Sequence, residues 1–187
     1  MSEQQKMREK EREPEPTPPE WEVFLKYMRS WRDRAETGRV IIKGKQIPYS
    51  LLEQGYLRNL VAPTTEDAAT TNMRMFVHMI PTHSGKHTHQ GGYSLFVLEG
   101  EGYTIVDGVR HDWKAGDLIL LPIKKGGCEH QHFNKNPGTP ARWLALNPRP
   151  MWEMLGAFVK QQEASPAWTE AHGDGVVKGS FRDVLNS

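Results

Sequence analysis

Three histidines carry the clearest chemical signal in this 187-residue chain. His87 and His89 are separated by a single residue, and His130 follows much later in the sequence. Alternate residues of a β-strand face the same side, so a strand through the first pair presents both imidazoles together. A third imidazole from another strand would complete one face of a metal ion and leave other positions open for substrate or oxygen. Because imidazole suits zinc, copper, nickel and iron, these ligands do not by themselves identify the metal.

The sequence around these histidines resembles the cupin family over roughly residues 73–147. The two motifs of that family occur here in the family's order, with a few extra residues in a loop of the second motif. One position departs from the first motif, because Tyr93 stands where many cupins have a glutamate. The matching residues are His87, His89 and Gly100 in the first motif and Gly116, Pro122, His130 and Asn134 in the second.

The resemblance implies an all-β fold, a single cupin barrel of the double-stranded β-helix or jelly-roll type. Short segments separated by turn signals agree with that fold, and Asp107-Gly108 is a strong two-residue hairpin signal. No internal repeat is visible, so we expect one barrel and not two. The predicted strands cover 73–80, 93–98, 103–106, 109–113, 118–121, 128–133 and 142–146.

The rest of the chain divides around the barrel into four parts. Residues 1–20 contain almost nothing apolar and are expected to form a disordered tail. Residues 21–71 are expected to form a helical arm and edge strands, and residues 72–150 the barrel. Residues 151–187 are expected to supply a short C-terminal helix, over 151–159, and a tail that the sequence does not assign.

The helical arm is predicted from large apolar residues that recur at three- and four-residue spacing. A stripe of this kind is typical of a core or of a dimer surface, with contact to a ligand as the less common alternative. We therefore expect a homodimer or a larger homo-oligomer. The stripe consists of Trp21, Phe24, Leu25, Met28 and Trp31.

Composition argues against several partners and compartments. The 24 basic and 23 acidic residues nearly cancel, which gives no electrostatic reason to expect a nucleic acid or an anionic membrane. No apolar run is long enough to span a membrane, and the polar N-terminus does not look like a secretory signal. The single cysteine, Cys128, excludes an internal disulfide and fits a reducing compartment, so the expected location is the cytoplasm.

Two further residues are candidates for catalytic roles. His132 shares strand parity with His130 and should also point inward, either as a fourth ligand or as a hydrogen-bonding group beside the ligands. We favour the second role. The phenol of Tyr93 can hydrogen-bond a substrate or bound oxygen, or it can simply pack in the barrel mouth. Three other histidines lack such a context and are expected to be solvent-exposed or structural: His78, His83 and His111.

The missing glutamate shapes the expected chemistry. Three neutral imidazoles do not reduce the charge of a divalent ion, and they leave other coordination positions open. Sites of this kind occur in iron(II) cupin dioxygenases, and the local resemblance is closest to the gentisate-type ring-cleaving members. This resemblance implies one divalent metal ion, with iron(II) as the first choice and manganese, nickel, copper or zinc as alternatives. It also implies a dioxygenase that uses dioxygen to cleave a small aromatic or enolisable molecule. A non-redox lyase or isomerase with Tyr93 as base, and a non-enzymatic metal or small-molecule binder, remain as alternative functions.

One position bears on the charge of the substrate. The gentisate-type pattern has an arginine for the substrate carboxylate six residues after the second histidine, and Leu95 stands there in this chain. A buried carboxylate without a partner is costly, so Leu95 alone favours an uncharged phenol, ketone or enol. Another inward arginine, Arg74 or Arg142, would reverse that expectation.

Overall fold

The computed structural model describes residues 19–62, 64–148 and 159–175. Its described part is dominated by β-strands, with one long helix before them and one short helix after them. The elements in chain order are α1 (Pro19–Thr37), a 3-10 turn (Gly44–Gln46), β1 (Ser50–Leu52), β2 (Gly55–Val61), β3 (Met73–Ile80), β4 (Lys86–His89), β5 (Ser94–Glu99), β6 (Glu101–Val106), β7 (Val109–Lys114), β8 (Leu118–Leu120), β9 (Cys128–Asn134), β10 (Ala141–Pro148), β11 (Lys160–Glu163) and α2 (Pro166–His172).

These strands form two antiparallel sheets. One sheet has the order β1-β2-β3-β10-β5-β8, and the other has the order β11-β4-β9-β6-β7. Neighbours in a sheet are often far apart in sequence, as in β3 beside β10 and β4 beside β9. This pattern is that of the predicted all-β jelly-roll barrel, and it is what brings distant histidines onto adjacent strands.

The apolar core lies between the two sheets, where strands such as β10 turn every second side chain inward. In β10 the odd-numbered residues Ala141, Trp143 and Ala145 are buried, and their neighbours are only partly buried. The rings of Trp113 and Trp143 meet edge to face across this core, 5.6 Å apart. Strand alternation therefore also decides which polar side chains face the interior.

Several sequence predictions can be compared directly with the elements. β3 has the predicted bounds, and Asp107 and Gly108 both have positive φ in a two-residue turn between β6 and β7. The helix predicted over 151–159 lies outside the described residues except for Val159. The short C-terminal helix that the structure describes is α2, which lies in the stretch that the sequence left unassigned.

Helix α1 begins two residues before the predicted start of the helical arm at Trp21 and ends at Thr37. None of its side chains is buried, and three large apolar ones, Trp21, Phe24 and Met28, are about half exposed. The apolar stripe therefore does not pack into the core among the described residues. No helix in this described part of the chain is both long enough and apolar enough to cross a membrane.

Candidate metal centre

The three predicted ligands come together because β4 and β9 are adjacent antiparallel strands. In their register His87 lies directly opposite His130, and His89 lies opposite Cys128. The side chains of all three histidines point into the barrel and are at least 94% buried. A local pair on one strand and a distant residue on its neighbour therefore form one cluster.

The three imidazole rings are mutually in contact. The ring centroid of His130 lies 4.3 Å from that of His87 and 4.7 Å from that of His89. The candidate ligand nitrogens all lie within 4.8 Å of one another. Among the described residues, no other group of three histidine, cysteine or acidic side chains lies close enough together to hold a metal ion.

Backbone hydrogen bonds fix the tautomer of each ring in the cluster. Nδ1 of His87 lies 3.1 Å from the carbonyl oxygen of Gly85, Nδ1 of His89 lies 2.6 Å from that of Gln90, and Nδ1 of His130 lies 3.0 Å from that of Cys128. A carbonyl only accepts, so Nδ1 carries the proton in each ring and Nε2 is the unprotonated nitrogen. This is the arrangement that metal-ligating histidines commonly show.

His132 has a different partner and the opposite tautomer. Its Nδ1 lies 2.7 Å from the hydroxyl oxygen of Thr104, which also accepts a hydrogen bond of 2.9 Å from the indole N–H of Trp113. Thr104 is fully buried, so its own proton is best satisfied by donation to Nδ1 of His132. The proton of His132 then sits on Nε2, so this ring presents an N–H donor to the cavity.

Burial keeps these imidazoles neutral at ordinary pH. Desolvation is the main cause that lowers the pKa of His89 to about 4 and that of His130 to about 3. The pKa values of His87 and His132 are lowered well below 6.5, again chiefly by burial and then by the neighbouring histidines. Neutral imidazole is the form that binds metals.

The cluster lines a small cavity, and none of the described residues that line it is acidic. Apolar and aromatic groups make up most of its other walls, which favours exclusion of water. The lining residues are Gln54, Arg74, Phe76, His78, His87, His89, Tyr93, Leu95, Leu121, His130, His132, Trp143 and Val159.

Tyr93 lies beside the cluster, just before β5. It is only 4% exposed, and its ring centroid is 5.0 Å from that of His89. Burial raises the pKa of its phenol, an effect that the positive charge of Arg74 partly opposes. The phenol is therefore protonated at neutral pH, with a hydroxyl that can donate.

One histidine of the cavity, His78, was not assigned to the site from the sequence. His78 is 4% exposed, and its Nε2 donates to the carbonyl of Gln54 over 3.0 Å. Arg74 shares strand parity with it. The prediction of a strand over 73–80 contained the signal, because Phe76, His78 and Ile80 alternate inward along β3. Of the other two histidines, His83 is half-buried and His111 is exposed.

Two glycines allow the backbone around β4 to pack closely. A Cβ on Gly85 would come within 2.4 Å of the carbonyl oxygen of Glu53, and a Cβ on Gly91 within 1.8 Å of that of Pro122. These glycines precede and follow the strand that carries His87 and His89. Larger residues at either position would displace that strand.

Comparison with known proteins identifies the fold family. Residues 75–147 match the family model described as the cupin domain. The matched segment contains the three clustered histidines and most of both sheets. Over this segment the chain resembles the cupin family.

Curated relatives add a likeness to ring dioxygenases. The chain is 30% identical to the 5-aminosalicylate 1,2-dioxygenase of a Comamonas species over 71 residues, which are 38% of this chain and 18% of that protein. It is 28% identical to the gentisate 1,2-dioxygenase of a Haloferax species over 152 residues, 80% of this chain and 37% of that protein. The chain thus matches well under half the length of these relatives.

Solved structures with a similar arrangement include a dioxygenase and a cupin barrel protein. A salicylate 1,2-dioxygenase from Pseudoaminobacter salicylatoxidans, solved as adducts with gentisate, has a TM-score of 0.48 and 24% identity, over 74% of this chain and 36% of that one. A cupin barrel protein from Salinispora arenicola has a TM-score of 0.45 and 22% identity, over 58% of this chain and 87% of that one.

Proposed function

We propose that this chain is a metal-dependent dioxygenase that cleaves a small aromatic or enolisable molecule, with iron(II) as its metal. The observation that carries the proposal is the cluster of three imidazoles that are unprotonated at Nε2, in a cavity whose described lining residues include no carboxylate. The sequence likeness to 5-aminosalicylate and gentisate dioxygenases supports the class of reaction. The aligned fraction of those relatives is small, so their substrates are not transferred to this chain.

The donor set fits a divalent ion of intermediate hardness. Three neutral imidazoles suit iron, copper, nickel and zinc, whereas manganese and magnesium sites usually include carboxylates. His87, His89 and His130 would hold the ion through Nε2. When bound, iron(II) supplies the redox chemistry with dioxygen, which amino-acid side chains do not provide.

The remaining side chains of the cavity orient and enclose the substrate. His132 offers an Nε2–H donor beside the ligands, and Tyr93 offers a hydroxyl on the other side of His89. Phe76, Leu95 and Trp143 provide apolar wall that keeps bulk water away. We propose His132 and Tyr93 as catalytic residues that hydrogen-bond the substrate or the bound oxygen.

Metal content and oxygen uptake test the function. Protein produced without added metal is analysed by elemental analysis, reloaded with iron(II), and assayed for oxygen consumption with a panel of phenols and diketones. A dioxygenase consumes one dioxygen for each substrate cleaved. Turnover without oxygen consumption would instead identify a lyase or isomerase, and metal binding without any turnover would identify a binder.

We also propose a cytoplasmic location and a homodimer or larger assembly. The location is supported by the single, fully buried cysteine, Cys128, whose thiol has a pKa raised to about 11, mainly by burial. A thiol of this kind is protonated and inert, and it fits a compartment where disulfides are not needed. The assembly is supported by the exposed apolar stripe of α1.

A further inference from the structure

We propose that Gln54 and His78, together with His132, form an uncharged subsite of the cavity that binds a hydroxyl group of the ligand. This inference rests on the proposed function, because it concerns the ligand of the same site. It is carried by buried hydrogen-bonding atoms of residues that line the cavity, which no described residue satisfies.

The side-chain amide of Gln54 is the first of these groups. Gln54 is 8% exposed and lines the cavity, yet only its backbone carbonyl has hydrogen-bond partners among the described residues. A buried amide without a partner costs free energy, so nearly all such groups in proteins are paired with protein, water or ligand. The partner of this amide therefore comes from a molecule inside the cavity.

Backbone contacts fix the position of Gln54 beside the cavity. It lies in the turn between β1 and β2. Its carbonyl accepts hydrogen bonds from Nε2 of His78 over 3.0 Å and from the backbone N–H of Gly85 over 3.1 Å. These two bonds tie the turn to β3 and to the segment before β4, so the subsite is organised before a ligand binds.

His78 presents an acceptor to the cavity. Because a carbonyl only accepts, the bond to Gln54 places the ring proton of His78 on Nε2 and leaves Nδ1 unprotonated. Burial lowers the pKa of His78 to about 4, so the ring is neutral at ordinary pH. The ring lines the cavity, and no described residue donates to its Nδ1.

His132 supplies a donor from the facing sheet. Its Nδ1 is occupied by the hydroxyl of Thr104, which leaves its Nε2–H for a ligand. The ring centroids of His78 and His132 are 6.5 Å apart, and both rings pack against Trp143. Two hydrogen bonds of about 2.8 Å through one shared oxygen atom span up to ~5.6 Å, a distance that suits the gap between these rings.

A hydroxyl group matches this set of atoms better than a charged group does. It accepts from Nε2–H of His132 and donates to Nδ1 of His78, and the Gln54 amide can do either. A carboxylate has no proton to donate and would face the lone pair of Nδ1. The cationic Arg74 lies four residues before His78, about 13 Å away along β3, at the other end of the cavity.

Two matched pairs of phenols test the inference. Hydroquinone and 4-fluorophenol differ at the para position, and resorcinol and 3-fluorophenol differ at the meta position, by a hydroxyl against a fluorine. Anaerobic calorimetric titrations use zinc-loaded protein, because zinc binds imidazole and has no redox chemistry. The proteins are the wild type, Gln54→Met, His78→Gln and the control Gln131→Met, and thermal unfolding establishes that each is folded.

We expect the wild type to bind the hydroxyl member of at least one pair about 5- to 100-fold more tightly, the range for two neutral hydrogen bonds. Gln54→Met should lower this preference by removing the amide. His78→Gln should also lower it, while keeping a donor for the Gln54 carbonyl. Gln131 is a buried glutamine that does not line the cavity, so Gln131→Met should keep the wild-type preference.

Nitrogen-15 NMR gives a second measurement that a purely structural role of His78 would not move. Binding of the preferred hydroxyl probe should shift the Nδ1 resonance of His78, and the fluorinated partner should not. Absence of a hydroxyl preference in the wild type, or a preference that survives both cavity substitutions, would overturn the inference.

The outcomes separate this inference from the proposed function. If the protein consumes no oxygen with any phenol or diketone, yet its hydroxyl preference depends on Gln54 and His78, the function is wrong and the subsite stands. If oxygen uptake is observed and both cavity substitutions leave the hydroxyl preference unchanged, the function stands and the subsite is wrong.

Discussion

The hydroxyl of Thr104 lies 2.7 Å from Nδ1 of His132, across the adjacent strands β6 and β9. This contact distinguishes His132 from the three clustered histidines, whose Nδ1 atoms all face backbone carbonyls. Neighbouring imidazoles of equal burial therefore present different atoms to the same cavity. Three of them present lone pairs, and the fourth presents a proton.

Replacing Thr104 should alter His132 without removing the metal site. Thr104→Val removes the hydroxyl that donates to Nδ1, so the Nε2–H tautomer should lose its preference. We expect unchanged metal content and turnover lowered about 3- to 10-fold, the usual range for one hydrogen bond. Nitrogen-15 NMR of the imidazoles, which reports the tautomer directly, is the decisive measurement.

Thr104→Ser is the control, because it keeps the hydroxyl and should behave like the wild type. Thr104→Val also leaves the buried indole N–H of Trp113 without its acceptor, so a loss of roughly 1–3 kcal/mol in unfolding free energy is expected. An unchanged His132 tautomer in the valine variant would contradict the assignment.

Alanine substitutions should separate ligands from the fourth histidine. His87→Ala, His89→Ala and His130→Ala each remove one of three Nε2 donors, so each variant should lose most of its metal by elemental analysis. His132→Ala should keep its metal but lose activity, and the exposed His111→Ala serves as a control. Full metal occupancy in His130→Ala together with loss in His132→Ala would show that the ligand set is wrong.

The sequence predicted the clustering of three histidines better than it predicted the groups around them. Spacing and motif placed His87, His89 and His130 together, and the structure shows them in one cluster, because an alternating pair and its cross-strand partner follow from β geometry. Asn134 matches the second motif, and its side-chain amide donates to the carbonyls of Pro81 and Thr139 near the end of β9. These features depend on local pattern alone.

Other features depend on contacts that no local pattern records. β11 has the sequence Lys-Gln-Gln-Glu, which has low strand propensity, and it pairs with β4 only because the barrel presents an edge there. α2 begins after the capping residue Ser165, and its ring contact between Trp168 and His172 was not expected. The tautomer of His132 likewise requires the position of Thr104 in three dimensions.

Acid should destabilise the fold through His78. Burial lowers the pKa of His78 from 6.5 to about 4, so the unfolded chain binds its proton more readily than the folded chain. Its contribution is fully present above pH 6.5 and is lost as pH falls through about 4, with a total of roughly 3 kcal/mol. Unfolding free energies of metal-free protein, measured between pH 7 and pH 4, should show this loss.

The matched variant isolates His78 from the other buried histidines. His78→Gln keeps a side chain able to donate to the Gln54 carbonyl but does not titrate, so its stability should fall less steeply over the same pH range. His111→Gln, at an exposed position, should follow the wild type. Identical pH dependence for His78→Gln and the wild type would exclude the predicted effect.

The last prediction concerns assembly. Each chain exposes the apolar stripe of α1 and a second apolar surface formed by β5 and β8, so two copies can cover both surfaces reciprocally. We expect light scattering to show a homodimer or larger particle. The second surface consists of Phe96, Leu98, Leu118 and Leu120.

Charges placed on the stripe should disrupt that assembly. Phe24→Asp combined with Met28→Asp puts carboxylates into the contact, where burial would be costly, so the mass in solution should fall to that of one chain. Lys26→Asp changes the charge on the far side of α1 and should leave the mass unchanged.

Deleting residues 1–20 should have little effect, whereas deleting 1–36 should cause aggregation or a changed mass. A soluble particle of unaltered mass after the longer deletion would mean that α1 does not hold the copies together.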